Sequence, residues 1–291
     1  MAKELRGILP IVTTPFDEQG ALDEASLRRL VNYLIEGGTH GLAPVGGSAE
    51  CYDLTVEERK EITDIVIEET GGRVPVIVGT STDRTEVSVE LSLYADKAGA
   101  DGIFVMPPRG SELDDEGIYG HYRTISEAIE ISVCIHTTAS MSVELIVRMA
   151  DDFPNIQYVK EETSRTGAKI TEIIEATDGK VKVFSGCGQF MIELARGVVG
   201  GIPGSVGVPS YAKVFDCYQR GDLKAAREEY CRVLPLVHWR GLCHLEATKA
   251  FLCRKGIFRR TYVRSQEGRS LMDDAYKQEL TAILEKMGPP H

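Results

Sequence analysis

Eight short apolar runs recur along the first 220 residues, and they constrain the fold of this chain more than any other feature. Each run has the length of a strand and is followed by a polar turn and a longer segment with helical spacing of apolar residues. The runs are 8–13, 41–45, 74–79, 102–106, 131–136, 156–160, 181–185 and 198–203. Continuous apolar strands that alternate with helices indicate parallel strands covered on both faces. The pattern therefore predicts an α/β fold built on a parallel sheet.

Signals at the ends of the intervening segments agree with helices. Thr55 and Glu58 match a capping box, in which a hydroxyl and a carboxylate satisfy otherwise unpaired amides. Gly37, Gly71 and Gly99 stand where helices should end. Eight strand–helix units match a closed (β/α)8 TIM barrel, which typically takes about 250 residues. An open doubly wound sheet is the alternative, but no glycine-rich dinucleotide-binding motif follows the first run.

The C-terminal segment differs from the rest because it has helical spacing without strand-like runs. No linker rich in Pro, Gly or Ser separates it from the preceding units. We therefore divide the chain into a barrel, residues 1–220, and a C-terminal helical extension, residues 221–291. We expect the extension to pack on the barrel, or on another subunit, as part of one structural unit.

Composition excludes several classes of protein. The formal net charge of −11 argues against a general nucleic-acid binder, which needs a basic face. No stretch approaches the roughly 18 consecutive apolar residues of a membrane span. The first residues have no apolar signal-peptide region, so we expect a cytoplasmic protein. The seven cysteines lack CxxC spacing, and we predict neither a disulfide framework nor a metal site.

A lysine closes the sixth run, where a strand should end at the C-terminal face of the barrel. Catalytic groups of TIM barrels come from this face. Partial burial of Lys160 would disfavour its ammonium form and supply a free amine for attack on a ketone. The alternative is that the strand ends one residue earlier and Lys160 is solvated. Alternation along the strand predicts that Glu162 faces the same side as Lys160 and that Glu161 points elsewhere.

Candidate residues also stand at the ends of other predicted strands. His136 closes the fifth run and can move protons near neutral pH, although a core histidine bonded to a backbone carbonyl is the alternative. In the turn 46–50, Gly47 and Ser48 suit a substrate carboxylate, although a tight turn also needs glycine. We add Gly186 and Pro203 as substrate-binding candidates, because loops after the seventh and eighth strands of barrels often hold anions.

Several motifs together resemble one known family. They are GILPIVTTPF at 7–16, GGSAE at 46–50, VPVIVG at 74–79, AGADG at 98–102, MPP at 106–108, VKE at 159–161 and TKA at 248–250. In this order they are similar to the dihydrodipicolinate synthase/N-acetylneuraminate lyase family, over nearly the whole chain. The resemblance implies a class I aldolase barrel, usually a homotetramer, that forms a lysine Schiff base with a 2-oxo acid and needs no added cofactor. It implies that Lys160 is the Schiff-base lysine and that the turn 46–50 holds the 2-oxo-acid carboxylate.

The sequence departs from the family pattern at four places. His136 stands where the family usually has a tyrosine, and Gly47 replaces a residue with a hydroxyl. Pro108 and Arg109 stand where a tyrosine pair is usual, and the arginine expected within 137–141 is absent. We therefore do not expect true dihydrodipicolinate synthase activity. The remaining resemblance is to the sugar-acid branch, in particular the 2-keto-3-deoxy-pentonate dehydratases.

The resulting hypothesis is a Schiff-base lyase, either a dehydratase or an aldolase, that acts on a small 2-keto-3-deoxy sugar acid or related 2-oxo acid. Lys160 attacks the carbonyl, and His136 or Glu162 moves protons. Ser48 fixes the carboxylate, and Arg109 contacts the distal end of the substrate. We expect a homo-oligomer, a tetramer or a dimer. The alternatives are a dihydrodipicolinate synthase-like pyruvate-condensing enzyme and a catalytically reduced barrel that only binds such acids.

Overall fold

The computed structural model describes residues 3–109, 113–163, 166–265 and 273–286, except for the side chains of residues 239–244, 284 and 286. Parts of the predicted C-terminal extension, residues 266–272 and 287–291, therefore lie outside the described residues. Within the described ranges, strands and helices alternate up to the eighth helix, and only helices and loops follow it.

Each of the eight apolar runs contains a strand, so the predicted alternation is confirmed. The strands are β1 (Gly7–Ile8), β2 (Ile11–Val12), β3 (Ala43–Pro44), β4 (Ile77–Gly79), β5 (Gly102–Val105), β6 (Ser132–His136), β7 (Ile156–Glu161), β8 (Lys182–Ser185) and β9 (Gly200–Gly201). The helices are α1 (Glu24–Glu36), α2 (Val56–Thr70), α3 (Thr85–Ala98), α4 (Asp115–Ala128), α5 (Val143–Asp152), α6 (Thr166–Ala176), α7 (Phe190–Ala195), α8 (Val208–Gln219), α9 (Leu223–Arg254) and α10 (Asp274–Lys286). The first run holds both β1 and β2, and Pro10 between them has no amide hydrogen to donate.

The strands are paired in parallel and close into a barrel. Seven of them form one sheet in the order β1-β9-β8-β7-β6-β5-β4, and β2 pairs with β3. The two sheets join because β1 and β2 belong to one run and because Leu42, before β3, bridges Val76, before β4, in parallel. The predicted (β/α)8 TIM barrel is therefore confirmed.

Alternation of side chains along the strands fills both faces of the barrel wall. Phe104, Tyr158 and Phe184 point into the barrel and pack together there. Val159, between inward-facing neighbours on β7, packs instead in the layer between the sheet and the helices. Lys160 therefore carries its amine at the top of an apolar interior, two residues after the inward-facing Tyr158.

The predicted helix ends are confirmed. The amide of Glu58 donates to the Thr55 hydroxyl at 3.1 Å, and the amide of Thr55 donates to the Glu58 carboxylate at 2.9 Å. Gly37, Gly71 and Gly99 directly follow α1, α2 and α3. The local sequence signals thus mark correctly where α2 begins and where α1, α2 and α3 end.

The C-terminal helices lie against the last helix of the barrel. Helix α9 packs along α8, and α10 contacts α9. A Cβ at Gly207, which precedes α8, would lie 2.4 Å from Val233 of α9, so glycine permits this close packing. The division of the chain at residue 220 stays a prediction. Within the described residues, no helix is long and apolar enough to cross a membrane.

A buried histidine on α4 predicts a pH dependence of stability. Burial lowers the pKa of His121 from 6.5 to about 4, and its Nδ1 lies 2.9 Å from the Thr85 hydroxyl. Between these two pH values the unfolded chain binds a proton that the folded chain does not. The contribution of His121 to the free energy of unfolding should therefore be constant above pH 6.5 and fall by about 3 kcal/mol as the pH drops towards 4.

Urea unfolding of the wild type and of His121→Gln at several pH values between 4 and 7 would measure this effect. The free energy of unfolding of the wild type should decline more steeply than that of the variant. Parallel pH profiles of the two proteins would contradict the prediction.

Candidate active site

Three polar side chains meet at the C-terminal ends of β6 and β7. The parallel register pairs His136 with Lys160, and Nζ of Lys160 lies 3.5 Å from Nε2 of His136. Oε1 of Glu162 lies 3.0 Å from Nζ of Lys160 and 2.5 Å from Nε2 of His136. Glu162 therefore faces the same side as Lys160, as alternation along the strand predicts.

Burial and charge act in opposite directions within this cluster. Burial alone raises the pKa of Glu162, but the charge of Lys160 and the hydrogen bond with His136 together hold it well below its usual range. Burial lowers the pKa of His136 and the charge of Lys160 lowers it further, whereas Glu162 raises it. Lys160 is 5% exposed and His136 is 9% exposed. At neutral pH the cluster therefore contains a carboxylate and a predominantly neutral imidazole.

The neighbouring carboxylate points to the other side of the barrel wall. Glu161 is fully buried and accepts hydrogen bonds from the Thr137 hydroxyl at 2.8 Å and the Thr163 amide at 2.7 Å. The ammonium of Lys169 lies 3.6 Å from it. Glu161 therefore joins the loops that follow β6 and β7 and leaves Glu162 to face Lys160.

The three side chains line a cavity of about 190 Å³ at the mouth of the barrel. Its lining residues are Ile11, Gly47, Ser48, Phe104, His136, Lys160, Glu162, Gly186, Ile202 and Gly204. Six of the residues selected from the sequence are thus brought together. The volume lies below the roughly 300–1,000 Å³ of sites for drug-sized ligands, so the cavity suits a substrate of a few carbon atoms.

Two of the selected residues do not line this cavity. The guanidinium of Arg109 lies 3.2 Å from Asp83 and stacks on the ring of Tyr52, 3.1 Å from its centre. Pro203 contributes its backbone to the barrel, since its carbonyl accepts a hydrogen bond from the Ile11 amide at 2.7 Å. In this conformation the side chain of Arg109 is held by Asp83 and Tyr52 and does not line the cavity.

Four lining residues are not among the site residues selected from the sequence: Ile11, Phe104, Ile202 and Gly204. Ile11, Phe104 and Ile202 lie within the predicted apolar runs, and all three belong to the packed interior of the barrel. Side chains two residues apart on a strand point to the same face, so positions two residues from an inward-facing strand end are also expected to face the interior. Gly204 directly follows Pro203 in the loop after the eighth strand, so the sequence points to the right loop but to the neighbouring residue.

The rim of the cavity contains backbone in an uncommon conformation. Val45, Glu50 and Cys187 have positive φ angles of 61°, 58° and 65°. Such angles are uncommon for residues other than glycine, above all for a β-branched residue. Val45 and Glu50 flank the turn with Gly47 and Ser48, and Cys187 follows Gly186. Strained residues cluster at functional sites, which supports this cavity as the candidate site.

A larger and more open groove, of about 810 Å³, lies between α5 and α6. Its buried lysine, Lys169, donates a hydrogen bond to the carbonyl oxygen of Met141 at 2.8 Å. Because this ammonium already serves to hold the loop after β6, we place the chemistry in the smaller cavity with Lys160.

Comparison with known proteins agrees with the barrel and its site. Residues 4–287 match the model of the dihydrodipicolinate synthetase family. The chain belongs to this family. A 4-hydroxy-tetrahydrodipicolinate synthase from Pelobacter propionicus is 32% identical over 238 residues, which cover 79% of this chain and 81% of that protein. Family membership confirms the resemblance and makes this chain a member of a family of aldolase-type lyases.

Solved structures of the family share the fold. The dihydrodipicolinate synthase from Thermotoga maritima superimposes with a TM-score of 0.89 at 26% identity, covering 98% of this chain and 99% of that one. A prophage protein of the dihydrodipicolinic acid synthase family from E. coli K12, solved in complex with pyruvate, has a TM-score of 0.91 with the same coverage. Its identity of 24% shows the fold alone.

The position of the Glu162 side chain requires a glycine at residue 186. A Cβ at Gly186 would lie 2.4 Å from Oε2 and 2.7 Å from Cβ of Glu162. Any larger residue there would displace the carboxylate from Lys160 and His136. Gly186 thus acts on the cluster by leaving space for it.

Removing either charge next to His136 should move its pKa in a direction that the geometry specifies. Glu162→Gln should lower the pKa of His136 further, because the carboxylate raises it, and Lys160→Met should raise it, because the ammonium lowers it. Titration of the imidazole by NMR with labelled histidine would measure both shifts. As a control, Glu24→Gln, which removes a carboxylate on α1, should leave the pKa of His136 unchanged. If Glu162→Gln and Lys160→Met shifted this pKa in the same direction, the proposed charge interactions of the cluster would be wrong.

Proposed function

We propose that the protein is a Schiff-base lyase that acts on a small 2-keto-3-deoxy sugar acid or a related 2-oxo acid, with Lys160 as the nucleophile. The observation that carries this proposal is the position of the Lys160 amine, buried in a small cavity 3.0 Å from Glu162 and 3.5 Å from His136. A buried amine next to two groups that can exchange protons is the arrangement that imine chemistry requires.

The first step is attack of Lys160 on the C2 carbonyl. The ammonium gives one proton to the Glu162–His136 pair, and the free amine adds to C2. The hydroxyl of the resulting carbinolamine takes back a proton and leaves as water, which gives an iminium ion. The iminium withdraws electrons from C3, so the reaction needs no added cofactor.

Two fates of the iminium are open. If a base removes a proton from C3, the electron pair forms an enamine. The enamine then expels the C4 hydroxyl, which takes up that proton and leaves as water, and a conjugated iminium remains. If the C4 hydroxyl is deprotonated instead, C4 becomes the carbonyl carbon of a released aldehyde, and the electron pair of the broken C3–C4 bond forms the enamine of pyruvate. Glu162 and His136 share a hydrogen bond of 2.5 Å and can take up the proton together in either case.

The turn 46–50 is the proposed site for the carboxylate of the substrate. Gly47 and Ser48 line the cavity that contains Lys160, and the absence of a side chain at Gly47 lets an anion approach the backbone. The Ser48 hydroxyl would donate a hydrogen bond to one carboxylate oxygen. The carbonyl carbon beside that carboxylate would then lie over the Lys160 amine.

A second candidate is condensation of pyruvate with an aldehyde, as in the relatives named 4-hydroxy-tetrahydrodipicolinate synthase. The pyruvate found in the E. coli prophage protein, which shares this fold, also favours a 2-oxo acid. Both candidates begin with the same imine on Lys160. His136 in place of the family's usual tyrosine, noted in the sequence, favours the sugar-acid reaction.

Imine formation predicts a covalent adduct on one lysine. Incubation with pyruvate and borohydride, followed by peptide mass mapping, should give one reduced pyruvate per chain, on Lys160. Lys160→Met should give no adduct, whereas Lys182→Met, which removes an amine that pairs with Glu4 on the surface, should react like the wild type. An unmodified Lys160 after treatment with a panel of 2-oxo acids would contradict the lyase proposal.

Proton transfer predicts a different effect for the histidine. His136→Asn should lower kcat for the elimination or cleavage step by about 10²–10⁴-fold, the usual contribution of a positioned acid–base group. The adduct on Lys160 should still form with pyruvate. Steady-state kinetics with a panel of 2-keto-3-deoxy sugar acids would measure kcat, and product analysis would separate loss of water from release of pyruvate.

The outcomes of these two experiments distinguish the candidate functions. An adduct without turnover of any sugar acid, but with condensation of pyruvate and an aldehyde, would favour the second candidate. An adduct without either reaction would favour a binding protein. Activity retained after dialysis against a chelator would agree with a reaction that needs no metal, and light scattering would test the predicted homo-oligomer.

A further inference from the structure

A fully buried ion pair joins the C-terminal segment to the turn that carries Ser48. The ammonium of Lys249, on α9, lies 2.5 Å from Oε1 of Glu50, and both side chains are 0% exposed. Lys249 also donates to the carbonyl oxygen of Tyr262 at 2.6 Å, and its ammonium lies 4.5 Å from the centre of the Phe16 ring. The proposed reaction uses neither of these charges, so catalysis does not explain why an ion pair is buried at this position.

The second oxygen of Glu50 is bound by the same segment of the chain. Oε2 accepts hydrogen bonds from the amides of Arg264 at 2.6 Å and Ser265 at 2.8 Å. The guanidinium of Arg264 lies 2.6 Å from Glu58, which forms the capping box of α2 with Thr55. Three donors from residues 249–265 thus hold one carboxylate that lies about 200 positions earlier in the sequence.

Glu50 is also the residue at which the candidate carboxylate-binding turn closes. Gly47–Ala49 form one turn of 3-10 helix, and Glu50 follows it with a φ of 58°. The amide of Glu50 donates to the carbonyl oxygen of Gly47 at 3.1 Å. A left-handed conformation at a residue other than glycine persists only where surrounding contacts hold it. The contacts that hold Glu50 therefore also determine how Gly47 and Ser48 face the cavity.

Stability alone is a poor explanation for this pair. Removing two charges from water carries a large desolvation cost, and well-packed apolar residues often serve the packing of a buried site as well or better. What an apolar pair could not do is fix the direction of the Glu50 side chain. Charge-assisted hydrogen bonds are short and directional, and three of them converge on this carboxylate.

We propose that Glu50 and Lys249 are positioning residues for the turn 46–50, so that the C-terminal segment determines how well the cavity binds the carboxylate of its substrate. This inference rests on the proposed function, because it takes that turn as the carboxylate site. Neither residue touches the substrate. Their loss should weaken binding of a 2-oxo acid and leave the reactivity of Lys160 nearly unchanged once the site is saturated.

The test compares Lys249→Met, Glu50→Gln and the double variant by borohydride trapping over a range of pyruvate concentrations. Lys249→Met should raise the half-saturating concentration by about tenfold, because a displaced Ser48 would lose one charge-assisted hydrogen bond to the substrate carboxylate. The trapping rate at saturation should stay close to that of the wild type. The double variant should recover part of the loss, because the introduced glutamine can still accept from the amides of Arg264 and Ser265 and no buried charge is left unpaired.

Hydrogen exchange gives a readout that does not depend on chemistry. Amides in the peptide that contains residues 46–50 should exchange faster in Lys249→Met, beyond any general change. Two control variants separate this effect from loss of stability: Arg260→Gln, which breaks an exposed ion pair of the same segment with Glu18, and Ile125→Ala, a packing defect on α4. Glu50→Gln, the milder change, keeps the test available if Lys249→Met does not fold.

The result that would overturn the proposal is specific. The proposal would be wrong if Lys249→Met and Glu50→Gln behaved like Ile125→Ala. In that case their Tm would fall, but the half-saturating pyruvate concentration would not change and the amides of residues 46–50 would not exchange faster than the rest of the protein. A wild-type protein without any adduct on Lys160 would instead count against the proposed function. In that case the exchange of residues 46–50 would still decide whether Glu50 and Lys249 position the turn.

Discussion

The parallel register between β6 and β7 is the constraint on which the candidate site depends. It places His136 beside Lys160, and the two-residue period of β7, continued one residue beyond its end, returns Glu162 to the same face. A slip of one residue would turn Lys160 towards the helices and bring Glu161 into the cavity. Register in turn follows from burial on both faces, since Tyr158 packs inside the barrel and Val159 outside it.

The charge of this cluster shapes the kind of ligand that it can hold. The chain as a whole carries −11, which does not favour long-range attraction of an anion. Over distances beyond about 8 Å that field is screened at physiological salt, so nearby groups decide. The charges of Lys160 and Glu162 largely offset each other. Because the pKa of His136 is lowered, its imidazole does not add a positive charge at neutral pH. In the proposed reaction, binding of an acid would therefore depend mainly on uncharged donors, such as the backbone at Gly47 and the hydroxyl of Ser48.

Features determined by local pattern could be predicted from the sequence, and features determined by distant contacts could not. The eight apolar runs locate the strands, and the residues at their ends include Lys160 and His136, so periodicity alone is enough to select both. The ion pair of Arg109 with Asp83 and the positive φ of Val45 have no such signal. The ion pair forms where the loops after β4 and β5 meet, and no periodicity in the sequence records that contact. The backbone conformation of Val45 is likewise not encoded in the spacing of apolar residues.

The two sides of the cavity differ in how they are supported. Lys160 and His136 stand on strands of six and five residues that pair with neighbours along their length. The turn 46–50 follows β3, which has only two residues. The strand that precedes the turn therefore offers few backbone hydrogen bonds to fix it. Its support comes from outside, through the Thr14 hydroxyl bonded to the Ala49 carbonyl at 2.7 Å and through the buried pair of Glu50 with Lys249. The paired strands of the barrel are enough to place Lys160, whereas the turn proposed to bind the carboxylate is also held by contacts from the C-terminal segment.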